Sequence, residues 1–125
     1  MPPQNKKDLN KITLVLDIDE TLIHSSFSPQ QGTEFHFSLS NDISSCDIYV
    51  SVRPGVREFI DTLSKYYEIV AFTSSSKPYA DQVLDYIDPS RKIKYRLYRE
   101  SCAMFNNIFV KDLSKLGRDL KRTII

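Results

Sequence analysis

Two carboxylates, Asp17 and Asp19, stand two residues apart at the end of the apolar-rich run Ile12–Leu16, and Thr21 follows them. Such a run reads as a buried parallel strand, and open α/β sheets hold their ligands at the carboxyl ends of such strands. Two acids there repel each other unless a cation or phosphoryl group engages them. The spacing suits a nucleophile at Asp17 that attacks phosphorus to give an aspartyl-phosphate, with a neighbouring acid/base at Asp19. Surroundings that separate the two acids would let them take these different roles. The Asp17 carboxylate and the Asp19 main-chain carbonyl would offer Mg²⁺ two oxygen ligands. The same pair can cap a helix, decorate a loop or hold the metal of a nucleotide-sugar transferase. The strand before it and Thr21 after it favour phosphoryl transfer, and no further nucleotide-binding signature appears.

Two further positions fit an anion. Thr73 ends the apolar run Tyr67–Phe72, and its hydroxyl with the following main-chain N–H groups, at Ser74 and beyond, would hold a phosphate. A threonine there would equally cap the helix that opens near Pro78. Lys111 follows Phe109-Val110, and an inward lysine would neutralise both a phosphate and Asp17, although most such lysines are simply solvated. A cysteine-based phosphoryl transfer is not supported. Cys102 has Ile108 where Cys-x5-Arg needs arginine, and Cys46 has Val52, with Arg53 one place late. His24 and His36 lack metal-ligand spacing and read as structural, and Phe27 and Tyr79, taken alone, as core.

The elements that would position these groups alternate. A strand at 12–17 is followed by a Ser/Pro/Gln/Gly loop, 25–32, then by two alternating runs around Phe35-Phe37-Leu39 and Ile48-Val50-Val52, joined by a turn at Asn41-Asp42. These predict a β-hairpin inserted after the first strand. Pro54-Gly55 opens a helix with Val56, Phe59, Ile60 and Leu63 at helical spacing. The strand 67–72 and a helix carrying Ala80, Val83, Leu84 and Ile87 follow, closed by Asp88-Pro89. Ile93, Tyr95 and Leu97 alternate with Lys92, Lys94 and Arg96, as on an edge strand with a charged wet face. Residues 112–120 read as helix broken by Gly117, and Thr123 begins a last strand. The sum is an α/β fold, a Rossmann-like parallel sheet with helices on both faces and a β-hairpin insertion after the first strand.

A chain of 125 residues fits one domain, and 41% hydrophobic residues fill a modest core. The net charge of +1 argues against a global field for nucleic acid or membrane, and no apolar stretch reaches bilayer length. Residues 1–10 read as a disordered polar tail, and 11–125 as the folded domain. Two cysteines read as free thiols, which suits nucleus or cytoplasm.

The stretch from Asp17 to Ser26 resembles the signature of the haloacid-dehalogenase-like phosphatases. More narrowly, it resembles the RNA polymerase II C-terminal-domain small phosphatases, also called NLI-interacting-factor-like. The likeness continues through Arg53-Pro54-Gly55, Phe72–Ser75, Tyr79-Ala80-Asp81, Leu97–Cys102, Val110–Ser114 and Leu116–Leu120, covering residues 12–125. It implies a Mg²⁺-dependent phosphatase acting on phosphoserine or phosphothreonine in a protein or peptide. Asp17 would match the nucleophile, Asp19 the acid/base, and Thr73 and Lys111 the phosphate binders. Arg99 falls where the family meets substrate phosphate or peptide, residues 34–52 match its insertion beside the active site, and Phe27 and Tyr79 match part of its peptide pocket. A monomer that binds neither nucleic acid nor membrane is expected. Two departures stand out. Asn41 and Ser76 take the place of usual aliphatic pocket residues, which weakens a preference for Ser-Pro sites. The family also completes its Mg²⁺ site with an Asp-Asn or Asp-Asp pair after the strand that begins at Thr123, beyond Ile125. Weak metal binding and little activity are therefore expected of these residues alone. The alternative is a non-catalytic module that binds phosphopeptide or protein.

Overall fold

The computed structural model describes residues 1–125. Four parallel strands form the central sheet: β1 (Ile12–Leu16), β5 (Tyr67–Phe72), β6 (Tyr95–Leu97) and β9 (Thr123–Ile124), in the order β6-β5-β1-β9. β1 and β5 are the two inner strands, so both faces of each are covered and both read as near-continuous apolar runs. Their register pairs Ile12 with Tyr67 and Leu16 with Ala71. β6 is the expected edge strand, but Arg96 on it is not a solvated charge. Its guanidinium is nearly buried and pairs with Asp81 and Asp85 at 3.0 and 2.9 Å.

One face of the sheet carries both α-helices. Leu14, Leu16, Ile69 and Ala71 pack against Val56 and Ile60 of α1 (Val56–Leu63) and against Ala80, Val83, Leu84 and Ile87 of α2 (Lys77–Ile87). Each large aliphatic buried on α2 contributes about 1.5–3 kcal/mol. Gly55, at φ 85°, is the N-cap of α1, a left-handed position that side chains disfavour. Pro78 lies in the first turn of α2, where no intrahelical N–H is needed. Asp88 closes α2 and its buried carboxylate accepts from the Lys92 and Ile93 amides.

The opposite face is covered without α-helix. Val15 and Phe72 pack against Leu116, flanked by Leu113, Leu97 and Met1. Residues 112–120, expected as a broken helix, form a 3-10 turn at Leu113–Lys115, and a second follows at Leu120–Arg122. The Asp112 and Asp119 side chains accept from the Ser114 and Lys121 amides, offering the backbone an alternative to helix, and Gly117 sits at φ 77° between the turns.

The N-terminal ten residues are not the expected loose tail. The Met1 amino group donates to the Leu116 carbonyl, the Gln4 amide to the carbonyls of Asp8 and Lys11, and buried Asp8 pairs with Lys11 at 2.9 Å. Main-chain acceptors make most of these contacts, so a polar composition conceals them.

Beyond the sheet, β2 (Ile23–Ser26), β3 (Phe35–Ser40) and β4 (Ser45–Val52) form an antiparallel layer in the order β2-β4-β3. The expected hairpin is β3–β4, and part of the expected loop, from Ser25, is its third strand. A separate hairpin joins β7 (Ala103–Phe105) to β8 (Ile108–Val110).

Two ionic clusters hold the layers in place. Behind the sheet, fully buried Glu68 receives Arg118 through both carboxylate oxygens, at 2.8 and 3.0 Å, and the Thr13 hydroxyl at 3.0 Å. In front, Asp81 of α2 accepts from Lys77, Tyr98 and Arg96, tying the helix to the edge strand. Burial alone would raise the Asp81 carboxyl, but these donors hold it below the ordinary carboxylate range.

Arg118→Ala strands the Glu68 charge in the interior and should destabilise the fold by about 3–5 kcal/mol in denaturant titrations. Arg118→Leu combined with Glu68→Leu should recover most of that loss, since neither charge remains buried. For Asp81, a folded pKa below the unfolded one means that its contribution is present above the ordinary carboxylate range and lost as pH falls beneath it. Thermal melts below about pH 4 should therefore decline more steeply for the native chain than for Asp81→Asn.

Candidate active site

Parallel pairing of β1 with β5 brings Asp17 and Thr73 to the same sheet edge, because each directly follows its strand. The chain then turns sharply. Ile18 is fully buried and its carbonyl accepts from the amides of Thr21, Leu22 and Ile23. Glu20 takes a positive φ of 62°, a strained conformation for a non-glycine residue. That turn leaves Asp17 and Asp19 on either side of the buried Ile18 anchor.

The two acids meet different partners. Asp17 Oδ1 accepts from the Ile18 amide at 2.8 Å and pairs with Lys111 Nζ at 2.9 Å. Asp19 meets no cation. Its Oδ1 accepts from the Tyr79 hydroxyl at 2.6 Å and its Oδ2 from the Ser75 hydroxyl at 2.8 Å. The chain of hydroxyls continues to Ser25, whose Oγ lies 2.8 Å from the Tyr79 oxygen. Burial first, and then the Asp19 carboxylate, push the Tyr79 phenol well above its ordinary pKa, so it stays protonated and able to donate.

The strand-end loop after β5 lies at the same edge. Thr73 is buried, its amide donates to Leu97 and its hydroxyl accepts from the Ser75 amide, so it braces the loop while keeping its own proton free to donate. Ser74 is exposed at the rim, and its carbonyl accepts from Arg99 Nε at 2.9 Å. That bond fixes Arg99 with its guanidinium 5.4 Å from the Phe109 ring centre. Cys102 lies behind, its thiol contacting the Thr73 carbonyl at 3.7 Å; burial pushes it upward, so it is no ready thiolate.

A cleft of about 340 Å³ opens beside Asp19, lined by Phe27, Leu39, Ile48, Ser76, Tyr79 and Arg99 among others. Phe27 is a largely exposed rim residue and Tyr79 a buried wall. Asn41 does not line this cleft. Its side chain accepts from the Ile43 and Ser44 amides and makes the β3–β4 turn, so the expected loss of an apolar contact there does not occur. Ser76 does line it, while Leu39 and Ile48 keep the wall apolar.

For a metal, the donor set is oxygen only. Asp17 Oδ2 and the Asp19 carbonyl remain available, whereas both Asp19 carboxylate oxygens are taken by hydroxyls. No group of three acids, histidines or cysteines converges. Two hard oxygens suit Mg²⁺ in kind but are few in number.

The sequence-expected residues Asp17, Asp19, Thr73, Ser74, Lys111, Phe27, Tyr79 and Arg99 thus gather around one edge. Ser75 and Ser25 were missed. Ser75 carried one signal, its place two residues after Thr73 on the same strand-end loop; Ser25 carried none.

Comparison with known proteins extends the geometry. Residues 12–125 match the model of the NLI interacting factor-like phosphatase family. The chain is 47% identical over all 125 residues to a probable C-terminal domain small phosphatase of Dictyostelium discoideum, covering 41% of it. It is 42% identical to human carboxy-terminal domain RNA polymerase II polypeptide A small phosphatase 1, covering 48%. The fission yeast RNA polymerase II CTD phosphatase Fcp1, solved with beryllium fluoride, superposes with a TM-score of 0.76 at 25% identity, over 91% of this chain and 36% of that one. The chain spans less than half the length of these relatives, and it belongs to the NLI interacting factor-like family of protein phosphatases.

Proposed function

We propose that this chain is the phosphoryl-transfer domain of a phosphatase for phosphoserine or phosphothreonine, in segments like the RNA polymerase II C-terminal domain. Asp17 is the nucleophile. The observation that carries this reading is the 2.9 Å pair between Lys111 and Asp17. A lysine already at the carboxylate is placed to neutralise the charge that a phosphoryl group brings.

In the first step Asp17 Oδ2 attacks phosphorus. The bond from phosphorus to the seryl oxygen breaks, and Asp19 gives that oxygen a proton. In the second step Asp19, now a carboxylate, takes a proton from water as the water oxygen attacks phosphorus. Inorganic phosphate leaves and the Asp17 carboxylate is restored. The Thr73 hydroxyl, the Ser74 amide and Lys111 bind the phosphoryl oxygens. The Asp17 carboxylate oxygen that does not attack and the Asp19 carbonyl would hold Mg²⁺, which when bound would neutralise charge on the transferring group. With two protein oxygens the affinity is low, and turnover by residues 1–125 alone is correspondingly weak. Arg99, Phe27 and Tyr79 contact the flanking peptide, in nucleus or cytoplasm.

The alternative, a module that binds phosphopeptide without turnover, is favoured by one observation: no third acid joins Asp17 and Asp19. Turnover decides between them. With Mg²⁺, hydrolysis of p-nitrophenyl phosphate should exceed background and vanish in Asp17→Asn. Activity that survives Asp17→Asn excludes this nucleophile, and phosphopeptide binding with no turnover at any Mg²⁺ concentration establishes the module. Asp19→Asn should lower hydrolysis of phenyl phosphate by roughly 10²–10⁴-fold, and that of p-nitrophenyl phosphate less, because its better leaving group needs less protonation.

A further inference from the structure

The hairpin β7–β8 stands outside both sheets, and its residues are apolar yet uncovered. Met104, Phe105, Ile108, Phe109 and Val110 are all exposed, between 39% and 69%. They are not core. Asn106 and Asn107, both at positive φ, close the hairpin tightly, so this apolar surface is presented on a defined scaffold. Soluble domains rarely leave such a cluster bare without a use for it.

The two faces of the hairpin differ. Met104 pairs directly with Phe109, so these two share one face; Phe105 and Ile108 share the other with Ala103 and Val110. The Met104/Phe109 face is continuous with the candidate active site in two ways. The Arg99 guanidinium lies over the Phe109 ring, and Arg99 also lines the cleft beside Asp19. Two residues beyond Phe109, Lys111 reaches Asp17. An aromatic ring, a flexible thioether and an arginine form the kind of surface that interfaces favour.

We propose that Met104 and Phe109, with Arg99 at their inner edge, form a peptide subsite that takes an apolar side chain flanking the phosphorylated residue. It adjoins the Phe27/Tyr79 cleft through Arg99, which lines that cleft and rests on Phe109. This deepens the phosphatase reading and rests on it. The occupant is the substrate peptide itself, because the platform begins where the anion-binding cations end. A phosphate held by Lys111 and Thr73 leaves the neighbouring residues of an extended peptide within reach of the hairpin.

The test is binding, measured by fluorescence anisotropy with the intact chain and no Mg²⁺. The probes are a phosphoserine peptide in a Gly/Ser background and versions with leucine at one flanking position at a time. On one side of the phosphoserine, leucine should tighten binding by about 5–10-fold, the range expected for partial burial of one aliphatic side chain. Phe109→Ser and Met104→Ser should erase most of that gain, read in each variant as the ratio of leucine-peptide to parent-peptide affinity. Phe105→Ser and Ile108→Ser, on the other face, should retain the gain. All four positions are exposed, and unchanged melting temperatures will show that folding is intact. The proposal is overturned if no leucine position helps while the parent still binds. It is equally overturned if the gain survives Phe109→Ser and Met104→Ser, or if these variants alter only self-association in sedimentation, which would assign the face to a second copy. A parent that binds no better than its unphosphorylated form overturns the phosphatase reading, and the subsite with it.

Discussion

Side-by-side parallel pairing of β1 with β5 is the constraint from which the rest of the molecule follows. Parallel neighbours end at the same edge, so Asp17 and Thr73, 56 residues apart in sequence, become neighbours by geometry rather than by attraction. Two acids and the loop that begins at Thr73 would not assemble unaided in water, since nothing in their own charges draws them together. The apolar pairs Leu14–Ile69 and Leu16–Ala71, packed beneath α1 and α2, supply the driving force. The back of the same strands is pinned by Glu68, Arg118 and Thr13. A buried ion pair is weak evidence for stability but strong evidence for register: slipping β5 by one residue would turn Glu68 toward the helices and leave Arg118 without its acid.

At the edge, the structure separates two chemically identical side chains by their surroundings. Asp17 has a cation and a backbone amide; Asp19 has two neutral hydroxyls and no cation. A carboxylate beside Lys111 gains from charge neutralisation when an anion approaches. A carboxylate held by Tyr79 and Ser75 can exchange a proton without first losing an ion pair. The proposed division between nucleophile and proton carrier therefore has a basis in the side chains that each acid meets. The strained turn at Glu20 belongs to the same arrangement, because three amides converging on the Ile18 carbonyl fold the chain tightly enough to place the two acids apart.

What the amino-acid order made legible was whatever depends on local pattern. The apolar run into Asp17-x-Asp19, the strand ending at Thr73, the α2 face and the β3–β4 hairpin all carry period or punctuation. What stayed hidden depends on partners distant in the chain. Nothing local marks Ser25 as a neighbour of Tyr79, or shows that Arg96 turns from solvent to Asp81 and Asp85. Residues 112–120 form 3-10 turns rather than a broken helix because the Asp112 and Asp119 side chains cap turns of their own. The N-terminus misled because its contacts are made largely by carbonyl groups, which every residue possesses. Asn41 shows the limit of position-by-position likeness: a residue expected at a pocket position can serve a turn when the hairpin's register sets it at the tip.

The proposed chemistry and the proposed recognition occupy different layers for a physical reason. Phosphoryl transfer requires atoms held to within fractions of an ångström, which the inner strands supply because both of their faces are packed. Peptide recognition tolerates more movement and needs exposed area, which inner strands cannot offer. Phe27, Arg99 and the Met104/Phe109 face accordingly lie on loops and hairpins outside the sheet, where apolar groups remain exposed. Arg99 bridges the two layers. Its Nε is fixed to the strand-end carbonyl of Ser74 while its guanidinium face rests on Phe109. The proposed phosphate site and the proposed peptide surface can thus share one residue without the second loosening the first, because the bond to Ser74 is short and directional whereas the contact with Phe109 is broad.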